Sequence, residues 1–184
     1  MTPRREKINR GLALTLSALA CAVSVAGRAE CVRPALPAPV EAASHDVEVV
    51  ADNRSLFAAL GRANRRGNVT LLLAAGEYRI GRTLVVRGNG VRIVGDTEDP
   101  ARVRLFGPGM DGPLGTAISI FGDRVTIANL TVGNVRRHAI QVHAEKDADD
   151  FLAHNVRLVD SGEQLMKVSY RRGGPQADRG RVQW

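Results

Sequence analysis

Two stretches of the chain carry the same pattern: LVVRGNGVRIVG at residues 84–95 and ISIFGDRVTIAN at residues 118–129. When Leu84 is aligned with Ile118, apolar residues alternate with others in both stretches, on either side of a Gly-Asn or Gly-Asp pair. This alternation has the period of a strand with one buried face. The Gly-Asn and Gly-Asp pairs suit a sharp corner, because these residue types accept positive φ. Each unit is therefore predicted to be a strand, a corner and a second strand.

Further short strands recur along the chain. Residues 128–132 match residues 154–158, and residues 117–121, 139–143 and 165–169 also superpose. Asn129 and Asn155 occupy equivalent positions, and we interpret them as stacked amides that bond corner backbone. Because no helical pattern intervenes, stacked repeats are favoured over a Greek-key sandwich.

A helix is predicted before the first repeat, in the segment NRSLFAALGRANRRG at residues 53–67. One face of this helix carries the apolar residues Leu56, Phe57, Leu60 and Ala63. Ser55 is positioned to cap its start and Gly67 its end. The helix leads into residues 69–80, which read as a strand, a Gly-x-Tyr segment and another strand.

Together these features resemble the right-handed parallel β-helix proteins of the pectate-lyase-like superfamily. The resemblance predicts an all-β chain: a right-handed parallel β-helix solenoid of about five coils in residues 45–170, with a short N-terminal capping helix. Members of that superfamily usually have more coils, so we expect a short or truncated member. The polar residues 171–184 show no alternation and are predicted to form an irregular tail.

The first part of the chain predicts export. Residues 1–26 combine a basic start with a charge-free apolar run at 12–26, which is typical of a secretory signal peptide and shorter than a membrane-spanning helix. Residues 27–44 are rich in Pro and Ala and are interpreted as a flexible linker. We expect a secreted or periplasmic protein with no transmembrane span. The alternative is a membrane-anchored lipoprotein, because Cys21 stands in a lipobox-like Ala-Leu-Ala-Cys segment.

The net charge of +7 does not indicate a nucleic-acid partner. The signal region carries four basic residues and one acidic residue, and the tail carries four arginines and one aspartate. The body between them is therefore nearly neutral, which is weak support for binding a polyanion such as DNA. We expect a monomer.

Alternation also predicts which side chains leave the core. In residues 139–143 and 165–169 the apolar residues point inward, which turns Gln141, His143, Lys167 and Ser169 outward. Adjacent strands lie about 4.8 Å apart, so Lys167 is expected beside Gln141 and Ser169 beside His143. Phe121 extends this patch by one repeat, and Glu145 joins it if the strand continues. Such a patch of polar groups beside an aromatic ring suits a saccharide.

The resemblance implies a groove along this sheet and an acidic polysaccharide as substrate. A lyase needs a base, for which His143 and Lys167 are the candidates. Positive charge to neutralise the uronate carboxylate is expected from Arg136, Arg137, Lys146 or a bound Ca²⁺. The calcium candidates are Asp147, Asp149 and Asp150, for which a solvated loop is the alternative interpretation.

Three other interpretations of the function remain. Glu145 with a nearby aspartate is the candidate acid/base pair for glycoside hydrolysis. The second interpretation is a non-catalytic glycan-binding or cell-surface scaffold. The third interpretation is an inactive fragment of a longer β-helix enzyme.

Overall fold

The computed structural model describes residues 46–183, so the predicted signal peptide at 1–26, the linker at 27–44 and Cys21 lie outside it. This part of the chain is mostly β, with 46% strand against 14% helical residues and a single α helix, α1 (Asn53–Arg66). Twelve strands follow one another along the chain: β1 (Asp46–Val50), β2 (Val69–Leu73), β3 (Gly76–Arg79), β4 (Leu84–Val86), β5 (Arg92–Gly95), β6 (Val103–Phe106), β7 (Thr116–Ile120), β8 (Thr126–Val135), β9 (His138–His143), β10 (Leu152–Ser161), β11 (Met166–Ser169) and β12 (Arg181–Gln183).

The strand pairs of residues 46–183 are all parallel and fall into two sheets. The larger sheet contains eight strands, in which β1, β2, β5, β8, β10 and β12 follow one another as neighbours and β3, β6 and β8 form a side branch. The smaller sheet has the order β11-β9-β7-β4. Parallel neighbours that are well separated along the chain are what repeated units produce when they lie side by side.

The predicted alignment of the repeats is confirmed residue by residue. Leu84 pairs with Ile118 and Arg92 with Thr126, which is the alignment of the two quoted stretches. Ile140 pairs with Ile118 on one side and with Met166 on the other, as the superposition of the three later segments predicted. The predicted match of residues 128–132 to residues 154–158 is the register of β8 with β10.

The corners differ from the prediction in one respect. Gly88, Asn89, Gly122 and Asp123 do not have positive φ; the left-handed residue is the next one in each repeat. Five equivalent corner positions share this conformation, with φ between 48° and 67°: Asn68, Gly90, Arg124, Asp150 and Arg179. In the first four, the backbone N–H donates to a carbonyl of the following repeat, at 2.8–2.9 Å.

The glycine of each Gly-Asn or Gly-Asp pair is required by close packing rather than by its own φ. A Cβ on Gly122 would lie 2.6 Å from the carbonyl oxygen of Gly88, its equivalent one repeat earlier. The residue after each glycine has a separate role, since Asn89 Oδ1 accepts a hydrogen bond from the N–H of Asp123 at 3.0 Å. These side chains therefore join one repeat to the next.

Helix α1 covers one end of the core. Its buried residues are Leu56, Ala59, Leu60 and Ala63, whereas Phe57, predicted on the same face, is only partly buried. The cap is Asp52 and not Ser55: Asp52 accepts the N–H of Ser55, and the Ser55 hydroxyl accepts the N–H of Asp52, forming a capping box. The helix ends at Gly67, as predicted.

The core opens towards the last repeats. Val142 is 1% exposed, but Val168, its partner in β11, is 57% exposed. The prediction that Val168 lies in the core is therefore wrong. The tail also differs from the prediction, because β12 adds a parallel strand to β10, with Val182 beside Ala153. Between residues 46 and 183, no helix has the length and apolar character needed to cross a membrane.

Candidate functional site

The predicted outer patch is formed by the smaller sheet. Lys167 pairs with Gln141 and Ser169 with His143 across β11 and β9, and Ser119 of β7 pairs with Gln141 on the other side. Gln141 Nε2 donates to Ser169 Oγ at 3.3 Å. The register therefore brings together residues from three successive repeats, as the alternation predicted.

His143 and Glu145 form a hydrogen-bonded pair at the carboxyl end of β9. After His143 the chain turns through a short 3₁₀ helix, Ala144–Lys146, which brings Glu145 Oε1 to 2.8 Å from His143 Nδ1. Burial raises the pKa of the Glu145 carboxyl, but hydrogen bonds, chiefly the one from His143, outweigh it and hold this pKa below its usual value. An ionised Glu145 accepts from Nδ1–H, which fixes the tautomer and leaves the lone pair on Nε2.

Phe121 packs flat against the imidazole of His143. The two ring centroids are 3.9 Å apart with an interplanar angle of 9°, and the guanidinium of Arg87 lies over the Phe121 ring at 5.2 Å from its centroid. Neighbours thus lie on both faces of the Phe121 ring, so it orients His143 more readily than it stacks on a sugar. Its predicted substrate-binding role stays a prediction.

Sequence reasoning missed Arg87. It occupies the position of Phe121 in the first of the two quoted stretches, so the alignment that predicted Phe121 in the patch also predicts Arg87 there, one repeat before Phe121. The outer column is therefore Arg87, Phe121, His143 and Ser169, with Glu145 beside His143.

Ser169 does not complete a nucleophilic triad. Its hydroxyl donates to the carbonyl of Val142 at 3.1 Å and lies 3.5 Å from His143 Nδ1, the same nitrogen that contacts Glu145. A serine nucleophile needs the imidazole nitrogen opposite to the one that the carboxylate holds. The arrangement therefore supports a general base at His143 Nε2 and does not support acyl transfer through Ser169.

The predicted cations are not all close to His143, because they are spread along the length of strand β9. Lys167 is half-buried beside Gln141, and Lys146 is exposed next to Glu145. Arg136 and Arg137 precede β9, so the length of that strand, roughly 16 Å of chain, separates them from His143. Arg137 Nε instead donates to Glu163 at 3.1 Å. These two arginines are not brought to the patch that the sequence predicted for them.

A second histidine, His138, is completely buried at the start of β9. Neither ring nitrogen makes a hydrogen bond within residues 46–183, and Nε2 lies 3.6 Å from Glu163 Oε2. Burial lowers the pKa of His138, the charges of Lys167 and Arg137 act in the same direction, and Glu163 opposes them.

The predicted calcium ligands are not gathered around a common point. Asp149 belongs to a ladder between repeats, in which its N–H approaches Asp123 Oδ1 at 3.4 Å and its own Oδ1 accepts the N–H of Asp178 at 2.8 Å. Asp150 is held by Arg179, whose guanidinium donates to both carboxylate oxygens. Asp147 takes a left-handed conformation after the 3₁₀ helix. In the described part of the chain, no three His, Cys, Asp or Glu residues form a group that could hold a metal ion.

Comparisons with protein-family models, with curated proteins and with solved structures found no match to this chain. The outer column and its pairing of His143 with Glu145 are therefore the observations that bear on function. Their chemistry is that of an oriented base at the end of a strand.

Proposed function

We propose that the chain is a right-handed parallel β-helix protein, similar to the pectate-lyase-like superfamily, that is exported and acts on an acidic polysaccharide as a lyase. The fold proposal is supported by the parallel pairing of each repeat with the next, by five equivalent left-handed corners and by the helix over the first repeat. Export is supported by residues 1–26 of the sequence.

The observation that carries the lyase proposal is the hydrogen bond between His143 and Glu145. In this proposal His143 Nε2 is the base and Glu145 is the positioning residue that keeps the imidazole in the required tautomer. The C–H bond next to the uronate carboxylate breaks and its proton goes to Nε2. The electron pair forms a C=C bond, the bond to the glycosidic oxygen breaks, and that oxygen takes up a proton from solvent.

Lys167 and Arg87 are the cations that the proposal uses. Lys167 lies beside Gln141 in the column next to that of His143, and its ammonium group is suited to the carboxylate of the uronate that loses its proton. Arg87 lies beyond Phe121, two strand spacings or about 10 Å from His143 along the sheet. We therefore assign Arg87 to the carboxylate of another sugar unit along the same polymer.

Hydrolysis has less support. Glu145 is hydrogen-bonded to His143, and the neighbouring Asp149 and Asp150 are engaged by the next repeat and by Arg179. A glycosidase needs two carboxyl groups facing one glycosidic bond, and these contacts make Asp149 and Asp150 poor partners for Glu145.

The test is turnover of polygalacturonate, alginate and chondroitin, followed by the ultraviolet absorbance of the unsaturated product. His143→Ala is expected to reduce the rate by about 10²- to 10⁴-fold, the usual contribution of a general base. Arg65→Ala is the control, because Arg65 is an exposed residue of α1 and lies outside the outer column; it is expected to retain activity.

Two results would contradict the proposal. The first is no absorbance change with any of the three polymers. The second is turnover that His143→Ala leaves unchanged. Tight binding without turnover, insensitive to His143→Ala and Lys167→Ala, would favour the non-catalytic scaffold instead.

A further inference from the structure

A groove lies on the outer side of the larger sheet, away from the outer column of the smaller sheet. Here β3, β6 and the second halves of β8 and β10 run side by side, and their register forms a column of Glu77, Arg104, Thr131 and Arg157. The adjacent column is Arg79, Phe106, Gly133 and Val159. One half of this surface is thus polar and basic, and the other half is largely apolar.

Phe106 and Val159 stand on the two sides of the groove. Gly133 between them is buried, and a Cβ there would meet the carbonyl oxygen of Val159, so this glycine allows the close approach of β10 and does not itself open the groove. The cavity of about 270 Å³ is lined by Ala101, Arg104, Phe106, Thr131, Arg157, Val159 and Asp160. Thr131 Oγ1 donates to the carbonyl of Pro100 at 2.7 Å, which holds the wall that contains Ala101.

The charges of this surface leave an excess of one positive charge, from three arginines (Arg79, Arg104 and Arg157) against Glu77 and Asp160. Glu77 is shared by two guanidinium groups, those of Arg79 at 2.6 Å and Arg104 at 3.2 Å. Arg157 is exposed and makes no ion pair with any described residue. Arg104 and Arg157 lie on the two strands that flank Thr131, so their Cα atoms are about 10 Å apart and both side chains can reach one anion between them.

We propose that this groove, which we call the Arg104–Arg157 groove, binds a sugar ring that bears a carboxylate or sulfate. The anionic group lies between the two guanidinium groups, which match planar oxyanions well. The C–H face of the ring lies beside Phe106 and Val159. Sites for drug-sized ligands usually have a volume of about 300–1,000 Å³, so this smaller cavity holds a single ring and the rest of an oligosaccharide extends outside it.

This inference does not depend on the proposed lyase activity, because the groove and the His143 column lie on different sheets. The near-neutral body of the chain favours a saccharide over a nucleic acid as the source of the anion, since nucleic acids require several neutralised phosphates. The carboxylate and sulfate sources differ in charge and geometry and are separated by the experiment.

The experiment is calorimetric titration of the full chain carrying His143→Ala and Lys167→Ala, so that the oligosaccharide is not cleaved and its binding at the outer column is weakened. The probes are a uronate oligosaccharide, a sulfated oligosaccharide, a neutral oligosaccharide and inorganic sulfate. In this background, Arg157→Gln is expected to weaken binding of the anionic saccharide by about tenfold and to reduce its salt dependence. Arg172→Gln, the same change at an exposed arginine of the tail, is the matched control and is expected to bind normally.

The anionic oligosaccharide that binds more tightly shows whether the groove takes a carboxylate or a sulfate. The proposal would be overturned if Arg157→Gln left the affinity unchanged or if Arg172→Gln weakened binding equally. It would also be overturned if the neutral oligosaccharide bound as tightly as the anionic ones, or if no saccharide bound at all. Turnover by the chain with Arg157→Gln alone is expected to equal that of the natural sequence. Loss of the groove and failure of the lyase proposal are therefore separate results.

Discussion

Asn155 joins two neighbouring repeats through one side chain. Its Nδ2 donates to Asn129 Oδ1 at 3.0 Å and to the carbonyl of Glu98 at 2.7 Å, while its backbone has a φ of 50°. Asn155→Ala removes both hydrogen bonds, each of which contributes about 1 kcal/mol net. It also leaves a residue in the left-handed region that Asn tolerates better than Ala, at a further cost of roughly 1 kcal/mol. We expect the free energy of unfolding to fall by about 3 kcal/mol.

Asn155→Gly separates the two contributions. Glycine accepts the left-handed backbone, so this variant loses the hydrogen bonds alone and its free energy of unfolding is expected to fall by about 2 kcal/mol. Urea unfolding followed by circular dichroism measures both values, provided that the slope with denaturant stays constant. Gln164→Ala, at an exposed position in the turn before β11, is the control. If both Asn155 variants unfold within about 0.5 kcal/mol of the natural sequence, the side-chain ladder does not stabilise the stack.

The core and the two histidines give three further predictions. Val142→Ala is expected to cost about 2 kcal/mol, whereas Val168→Ala at the paired but exposed position should cost less than about 1 kcal/mol; equal costs in urea unfolding would contradict the open end of the core. Glu145→Gln should lower kcat on a polyuronate by about 10- to 100-fold and leave KM similar, because the imidazole of His143 loses the carboxylate that fixes its tautomer. The dependence of kcat on pH should also change, and an unchanged pH dependence would exclude Glu145 as the positioning residue. The pKa of His138 is lower in the folded chain than in the unfolded chain, so the unfolded chain binds the extra proton and stability decreases as pH falls below about 6.5. The urea midpoint should show this decrease, and His138→Leu should remove it.

The arrangement of the strands was predictable because it depends on a short-range pattern. Alternation gives the buried face of each strand, and aligning the repeats gives the register, which is why Lys167 beside Gln141 and Ser169 beside His143 are confirmed. The same reasoning extends to Arg87, one repeat before Phe121, although the prediction stopped short of it. Local periodicity therefore located most of the candidate site.

Features that depend on contacts between repeats were not predictable in this way. Asp149 has the same local sequence signature whether it binds a cation or caps the backbone of Asp178, and only the position of the next repeat distinguishes the two. The cap at Asp52 was missed because a capping box uses two residues and Ser55 is also a suitable cap. Strand β12 is too short to show alternation and forms through pairing with β10.

The position of a residue along the chain also does not reveal which side chains lie near it in the folded protein. Arg136 and Arg137 were expected to supply positive charge to the patch, but they precede β9 and lie at the end of that strand opposite to His143. The Arg104–Arg157 groove depends on which residues of different strands become neighbours, and this has no distinctive pattern in the sequence. Distances across strands, rather than distances along the chain, decide which groups meet.

The most direct test of the central proposal is the response of the two histidines of β9 to an acidic oligosaccharide, followed by nuclear magnetic resonance of their imidazole signals. His143 is partly exposed in the outer column and His138 is buried at the other end of the same strand, which makes one the probe and the other its internal control. Adding a uronate oligosaccharide is expected to shift the signals of His143 and to leave those of His138 in place. Signals of His143 that stay unchanged at saturating oligosaccharide would contradict the proposal that this surface is the functional site.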